Sequence, residues 1–356
     1  MSFRSFNPAL KKHFAELPRP KFNYGYQHFV TPQACQQIID KLRLKEKYPN
    51  SKGNLDVIDI HSGRGMLSTM INYELKPRKH LVIEHRPDFA RAWQERMKLL
   101  ESETKNAENF IFAPLDGYSW ATYDELVGEN KALSPSFQPR SKVHDELLIV
   151  GNVASTNGES LFAQWLMCIA YKNWLHKYGR VRTILTSSDY TLKKFLAGPS
   201  YKKRNKTAAK RAMFSETSLV AMTEGAQGTC TSEGYDPRLV IENQPALLPR
   251  NSTLPQGSTI GVAEFVPREI TDDYNVDEID YMTQSMSFRP NDPVSDSIKQ
   301  LAPGAAIDLP PLLPDEILKK TFKELTAEDL WTMYNVYKTW AFKPTYEEMI
   351  HVHLEE

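Results

Sequence analysis

The stretch LDVIDIHSGRGML, residues 55–67, decides the fold of this chain. Its apolar run breaks at small and glycine residues and then resumes, with Met66, Leu67, Met70 and Ile71 on one helical face. The pattern predicts a buried strand, a tight turn and a helix. In an α/β nucleotide-binding unit, such a turn lets the backbone approach a cofactor.

Such a nucleotide-binding unit also needs an acidic residue about 20 positions after the turn, which hydrogen-bonds the ribose hydroxyls of the ligand. Glu84 meets it, because it ends the apolar run 80–83. A full methyltransferase loop reads acid-x-Gly-x-Gly-x-Gly, whereas His61 stands here in place of the first glycine. A Cβ narrows the cleft at that position and is strained at positive φ. The sequence therefore predicts a cofactor scaffold that is degraded at one position.

Further along, apolar runs alternate with amphipathic stretches up to residue 266. This alternation predicts a largely parallel sheet with helices on both faces. Ligands of such sheets bind at the carboxyl ends of the strands, so Glu84, Asp116 and Asn152 should converge on one cleft. A Gly/Ser/Pro-rich segment, 224–258, reads as a long loop or insertion.

Composition narrows the classes of function. The chain of 356 residues carries 44 Lys+Arg and 44 Asp+Glu, yet Tyr190–Ser215 has eight basic residues and no acid, and Glu264–Asp280 has seven acids. Such a basic segment predicts nucleic-acid binding without a high overall pI. Cys35, Cys168 and Cys230 lie far apart, which favours a reducing compartment over a disulfide framework or zinc site. No apolar run reaches the roughly 18 residues of a membrane span.

These motifs, in this order, resemble the rRNA adenine dimethyltransferase superfamily, and within it the fungal mitochondrial transcription factor B branch. Residues 27–30 stand where the enzymes carry Gln-Asn-Phe-Leu, and 195–199 are similar to their Leu-x-Ala-x-Pro-Gly. The resemblance implies an α/β, Rossmann-like methyltransferase fold with a mainly parallel seven-stranded-type sheet, plus a small all-helical C-terminal domain. It places an S-adenosylmethionine pocket at Ile60, Gly63, Gly65, Glu84, Asp116 and Asn152.

The chain departs from the enzymes at Asn152-Val153-Ala154-Ser155. The enzymes have Asn-x-Pro followed by an aromatic residue there, and the aromatic ring stacks on the flipped adenine. Serine cannot supply a stacking platform, which contributes ~1 to 3 kcal/mol per base. Because His61 also intrudes on the cofactor loop, two parts of the enzyme are degraded together. The sequence therefore predicts loss of methyl transfer, with no catalytic residue and no metal site.

Four segments are expected along the chain: an N-terminal leader or arm (1–20), a methyltransferase-like domain (21–273), a helical C-terminal domain (274–343) and a tail (344–356). The first segment has no acid before Glu16, and its apolar residues recur at near-helical spacing. It fits a mitochondrial import signal and a terminus folded onto the domain equally well. In the family the C-terminal tail is proposed to reach the polymerase, so Thr345–Glu356 is the candidate partner contact. We expect no metal at His351 and His353.

Two groups of side chains are candidates for nucleic-acid contact. Tyr118 and Trp120 alternate along an extended segment at the mouth of the cleft and could stack on unpaired bases, although such rings more often pack on their own domain. The basic segment could contact phosphates, or it could be a solvated loop. Its candidates are Lys202, Lys203, Arg204, Lys206, Lys210 and Arg211.

The resemblance implies a non-enzymatic initiation factor of the mitochondrial matrix, a monomer without a cofactor. Its partners would be the single-subunit mitochondrial RNA polymerase and unpaired promoter DNA. The alternative is an active rRNA adenine N6,N6-dimethyltransferase with S-adenosylmethionine as cofactor, which the intact Asn152 and Glu84 favour. A third hypothesis is an rRNA-binding assembly factor that prefers structured RNA.

Overall fold

A computed structural model describes residues 3–18, 25–103, 109–224, 245–271 and 273–349. The described residues form two compact units. The first comprises 3–18, 25–103, 109–192, 217–224 and 245–269, and the second comprises 193–216, 270–271 and 273–349. The sequence boundary near 273 left 193–216 in the α/β domain, whereas the structure groups this segment with the C-terminal helices. The reason is that the helix in this segment packs against two of those helices.

An eight-stranded sheet with the order β4-β3-β2-β5-β6-β10-β7-β8 forms the middle of the first unit, and β1 pairs with β9 in a second, two-stranded sheet. The strands are β1 (His28–Phe29), β2 (Asp56–Ile60), β3 (Lys79–Ile83), β4 (Phe110–Ala113), β5 (Val143–Asn152), β6 (Arg180–Ser188), β7 (Ser215–Thr223), β8 (Ala246–Leu248), β9 (Thr253–Leu254) and β10 (Ile260–Pro267).

The sheet is mainly parallel, as the sequence predicts. β2 runs parallel to β3 and β5, β3 to β4, β5 to β6 and β7 to β8, while β10 is antiparallel to β6. All five residues of β2 are buried, as expected for a strand covered on both faces. Edge strand β8 falls in the segment 224–258 that was predicted to be a loop, and residues 225–244 lie outside the described residues.

Helices cover the faces of this sheet. They are α1 (Lys11–Glu16), α2 (Pro32–Leu42), α3 (Leu44–Lys47), α4 (Met66–Leu75), α5 (Pro87–Glu103), α6 (Trp120–Leu126), α7 (Gly158–Tyr171) and α8 (Asp189–Phe195), with short 3₁₀ helices at Pro8–Leu10, Trp174–Tyr178 and Arg250–Ser252. At the start of α2, the Thr31 side chain accepts from the Ala34 N–H and Pro32 opens the helix. Among the described residues, no helix has both the length and the apolar character to span a membrane.

The N-terminal segment packs against the first unit. Leu10 is 1% exposed and lies in a cluster with Trp93 and Phe110. The Arg96 guanidinium lies 4.6 Å from the centre of the Phe14 ring, and Arg64 Nη2 donates to the Leu17 carbonyl at 2.8 Å. The described residues 3–18 thus fold onto the first unit.

The second unit is helical. It contains α9 (Lys206–Phe214), α10 (Val276–Ser287), α11 (Val294–Ser297), α12 (Ala305–Asp308), α13 (Asp315–Lys319) and α14 (Ala327–Thr339), with 3₁₀ turns at Ile298–Gln300 and Pro310–Leu312. Helix α9 packs against α10 and α14. Thr326 and Asp329 form a capping box at the start of α14.

Candidate functional site

In the turn after β2, three alternate residues have backbone angles in the left-handed region. His61 has φ 57°, Gly63 φ 60° and Gly65 φ 72°. Gly65 is also tightly enclosed, because a Cβ there would lie 2.4 Å from atoms of Trp93 and Arg96. Ile60, the last residue of β2, is fully buried. The turn thus has the predicted strand-loop-helix course, and it forces the non-glycine residue His61 into a conformation that side chains rarely adopt.

The His61 imidazole is the middle ring of a three-ring stack. Its centre lies 5.3 Å from that of Tyr26 and 4.8 Å from that of Tyr118, with interplanar angles of 26° and 29°. The imidazole is 0% exposed, and its Nδ1 lies 3.3 Å from the carbonyl oxygen of Asn152. The space beside the glycine turn is therefore filled by side chains of the chain itself.

The Glu84 carboxylate is bound by the protein. Its oxygens accept hydrogen bonds from the Gly63 and Arg86 N–H groups, both at 3.0 Å, and from the Tyr26 hydroxyl. Burial raises the pKa of Glu84 to about 8, against the lowering effect of the N–H donors of Arg86 and Gly63. The acceptor atoms that the sequence assigned to ribose hydroxyls are thus engaged within the fold.

Asn152 and Asp116 lie next to the two ring nitrogens of His61. The Asn152 side chain donates to the Gln27 carbonyl at 2.8 Å and accepts from the Ala154 N–H at 2.9 Å. Asp116 is half-exposed, and the neighbouring His61 imidazole lowers its pKa to about 2. The structure therefore brings Glu84, Asp116 and Asn152 together, as the rule for parallel sheets predicted, around an imidazole that the rule did not foresee.

Among the described residues, a cavity beside the His61 ring is too small for S-adenosylmethionine. It measures about 30 Å³, enough for one or two water molecules. Pockets for drug-sized ligands run to ~300 to 1,000 Å³. This cavity is lined by His28, Phe29, Asp59, His61, Ser62, Leu67, Ser68, Val150, Gly151, Asn152 and Thr186.

Tyr118 and Trp120 do not face the same way, contrary to the sequence prediction. The Tyr118 N–H donates to Asp116 Oδ1 at 2.9 Å in a tight turn, and its ring lies over His61 with its hydroxyl 2.7 Å from Ser155 Oγ. Trp120 instead begins α6, and its ring meets Trp174 edge-on at 6.1 Å. The extended geometry that would align the two rings is absent from this turn.

Trp120 forms one wall of a separate aromatic groove of about 260 Å³. The ring is 46% exposed, and the neighbouring Trp174 is held by stacking on Trp165 at 5.0 Å. Sequence reasoning missed Trp174 as a site residue, because an isolated tryptophan after a helix is normally assigned to the core. The aromatic groove is lined by Trp120, Tyr123, Asp124, Val127, Asn173, Trp174, Leu175 and Lys177.

The family described as ribosomal RNA adenine dimethylase matches residues 18–338 of the chain. The chain belongs to this family. The match covers the glycine turn, Glu84, Asp116 and Asn152, and it extends into α14. The ribosomal RNA adenine dimethylase family is thus shown for the sheet and for most of the helical unit alike.

Similar proteins that align with most of this chain are named as transcription factors rather than as methylases. The chain is 29% identical over 331 residues to "Mitochondrial transcription factor 1" of Saccharomyces paradoxus, covering 92% of this chain and 93% of the relative. It is 28% identical over 329 residues to the protein of the same name from Lachancea kluyveri, covering 91% and 92%.

Solved structures support the fold. A dimethyladenosine transferase from Plasmodium falciparum superposes with a TM-score of 0.56 at 13% identity, covering 87% of this chain and 97% of that one. The 23S rRNA methyltransferase ErmE gives a TM-score of 0.50 at 11% identity, covering 84% and 97%. The Rossmann-like methyltransferase fold predicted from sequence is therefore confirmed.

Three of the predicted phosphate contacts, contrary to the exposure expected of such residues, are buried in the second unit. Arg204 donates to the Leu325 carbonyl at 2.7 Å, Lys210 pairs with Asp280, and Arg211 donates to the Phe195 carbonyl at 3.2 Å. A buried charge is costly unless it is paired, and here each has such a partner. These side chains hold the helical unit together, while Lys202 and Lys203 are exposed and Lys206 is half-buried.

Proposed function

We propose that this chain is a non-enzymatic mitochondrial transcription initiation factor. In this role it assists a single-subunit RNA polymerase in the mitochondrial matrix, and it helps to recognise and melt the promoter by holding unpaired DNA. The proposal is supported by the name "Mitochondrial transcription factor 1" carried by relatives that align over 91% to 92% of this chain. The fold alone would support an enzyme equally well.

The single observation that carries the proposal is the filled cofactor cleft. Tyr26 and Tyr118 stack on the His61 ring, and the Tyr26 hydroxyl donates a hydrogen bond to the Glu84 carboxyl group. To admit S-adenosylmethionine, the protein would have to break these contacts and expose a buried carboxyl. Ser155, which stands where the enzymes have a stacking ring, is bonded to Tyr118 instead. We propose that methyl transfer is lost and that the cleft is a relic.

The side chains proposed to hold DNA lie outside that cleft. Trp120 offers an exposed indole in the aromatic groove, and unpaired bases stack on such rings without sequence preference. Tyr118 belongs to the same turn and closes the mouth of the cleft. In the second unit, the exposed Lys202 and Lys203, with Lys206, are the proposed phosphate contacts.

The C-terminal tail is proposed as a contact with the polymerase. Thr345–Met349 begins a helical turn in which Thr345 bonds to Glu348, and Met349 is 5% exposed. Residues 350–356 lie outside the described residues. The acids of the tail would repel DNA phosphates, so a protein surface is the fitting partner. We propose that the chain acts as a monomer in complex with the polymerase.

Titration calorimetry with S-adenosylmethionine, followed by a promoter-opening assay, tests the proposal. We expect no binding at millimolar cofactor, and opening of a promoter labelled with a fluorescent base analogue only when polymerase and this chain are both present. Opening by the polymerase alone would remove the need for a factor. Co-sedimentation with the small ribosomal subunit, without an effect on opening, would support an assembly factor instead.

A second candidate, an rRNA adenine N6,N6-dimethyltransferase, is favoured by the presence of Glu84 and Asn152 at the positions of the enzyme motif. It requires the Tyr26 and His61 rings to move aside when the cofactor binds. Micromolar binding of S-adenosylmethionine, together with methylation of small-subunit rRNA, would establish this candidate and overturn the first.

A further inference from the structure

Three possible metal ligands meet at the ends of adjacent parallel strands. His61 follows β2, His85 follows β3 and Asp116 follows β4, and these three strands are neighbours in the sheet. Asp116 Oδ1 lies 3.8 Å from His61 Nε2 and 3.7 Å from His85 Nδ1. One ligand atom from each residue can be chosen so that all three atoms lie within 4.8 Å of one another.

His61 presents an unused lone pair to this cluster. Its Nδ1 lies 3.3 Å from the Asn152 carbonyl oxygen, an acceptor only, so the ring proton belongs on Nδ1. Nε2 is then an acceptor, and it is buried with no hydrogen-bond partner among the described residues. Asp116 Oδ1 lies 3.8 Å from Nε2, which is beyond hydrogen-bond distance. A cation bound between the ring nitrogen and the carboxylate would stabilise both.

We propose that His61, His85 and Asp116 bind a divalent transition-metal ion of the Zn²⁺ type. Zinc–nitrogen and zinc–oxygen bonds of about 2.0 to 2.2 Å in a tetrahedron separate ligand atoms by roughly 3.4 Å. The two distances to Asp116, 3.8 and 3.7 Å, need to shrink by a few tenths of an ångström, and the two histidine nitrogens, which lie within 4.8 Å of each other, close by a small rotation of the half-exposed His85 side chain. Two imidazoles and one carboxylate suit zinc better than Mg²⁺ or Ca²⁺. A water molecule takes the fourth position.

Groups around the cluster already orient its members. Metal-bound histidines usually donate their other ring N–H to a carbonyl or carboxylate, and Asn152 supplies that carbonyl to His61. The Tyr118 N–H fixes Asp116 Oδ1 from the side. A bound ion would join the ends of β2, β3 and β4 and so hold the turn that carries Tyr118 and Trp120. The sequence predicted no metal site, because the three residues are not close together in the chain.

Titration of the full, tag-free and chelator-treated chain with Zn²⁺ tests the site, with Co²⁺ absorption as a report on the ligands. We expect one equivalent to bind and the visible Co²⁺ bands of a site with nitrogen and oxygen ligands. His85→Asn and Asp116→Asn should each weaken binding at least about tenfold. The half-exposed side chains of His85 and Asp116 make both variants compatible with folding, which a thermal melt checks. The control variant H351N/H353N should bind like the wild type.

Two results would overturn the site. One is the absence of Zn²⁺ binding at hundred-micromolar metal by the folded wild type. The other is binding that survives both His85→Asn and Asp116→Asn, or that disappears in H351N/H353N, since either would assign the ion to other ligands. Neither result depends on transcription activity, so the metal site can fail while the proposed function stands.

Discussion

Glu84 is a buried carboxyl whose charge state makes the stability of the fold depend on pH. Burial raises its pKa from 4.5 to about 8. Between these values the folded protein keeps a proton that the unfolded chain has released, so the free energy of unfolding falls as pH rises. The contribution is complete below pH 4.5 and is lost as pH passes about 8. We expect the wild type to lose stability relative to Glu84→Gln across this window, as measured by urea unfolding at a series of pH values.

The comparison between variants isolates this one group. His28, whose pKa burial lowers to about 3, titrates in both proteins and cancels. Glu129→Gln, a change on an exposed loop, should show the same pH profile as the wild type. A constant difference in stability between wild type and Glu84→Gln over the whole window would show that Glu84 ionises normally.

Trp120 is expected to supply stacking energy to unpaired DNA. Its removal in Trp120→Ala should cost ~1 to 3 kcal/mol, or about 5- to 150-fold in affinity for single-stranded promoter DNA in the presence of polymerase. Trp120→Phe should keep part of this affinity because it keeps a ring. Phe137→Ala, which removes a ring that is 73% exposed elsewhere on the same unit, is the matched control for fluorescence anisotropy. Equal losses in the two alanine variants would refute a specific stacking role.

At the scale of elements, the N-terminal segment is expected to stabilise the first unit. Leu10 is fully buried among Trp93, Leu100 and Phe110, so Leu10→Ala should lower the free energy of unfolding by about 2 to 5 kcal/mol. The neighbouring Lys11→Ala removes an exposed side chain and should change little. Guanidinium unfolding of both variants measures the difference. If Leu10→Ala unfolds at the same denaturant concentration as the wild type, the segment does not belong to the folding unit.

Helix α9 shows what a sequence pattern leaves open at this scale. Its basic residues were visible in the sequence, where they predicted phosphate contacts or a solvated loop, and the structure shows a helix instead of a loop. The partners of Lys210 and of the preceding Arg204, namely Asp280 and the Leu325 carbonyl, lie 70 and 121 positions away. A local pattern counts charges but does not reveal such distant partners. The sequence therefore predicted exposed basic side chains, whereas Arg204, Lys210 and Arg211 are buried.

At the scale of the whole molecule, the alternation of strands and helices determined the sheet, and the rule for parallel sheets placed Glu84, Asp116 and Asn152 correctly. The filling of the cleft was beyond reach, because it depends on the rings of Tyr26 and Tyr118 closing on His61 from separate parts of the chain. Only the missing first glycine signalled it. The proposal of binding without methyl transfer is supported by the relatives' names and by the rings that fill the cleft.

The even balance of charge over the whole chain makes the salt dependence of DNA binding a test of where the contacts lie. With 44 basic and 44 acidic residues, long-range attraction is weak, and local lysines must supply the phosphate contacts. Each contact with single-stranded DNA contributes about 0.7 to the slope of log affinity against log salt, so Lys202→Ala/Lys203→Ala should reduce that slope by about 1.4. Lys11→Ala/Lys12→Ala removes an equally exposed adjacent pair and should leave the slope unchanged, measured by anisotropy over a sodium chloride series. Identical slopes for the two double variants would place the phosphate contacts elsewhere on the chain.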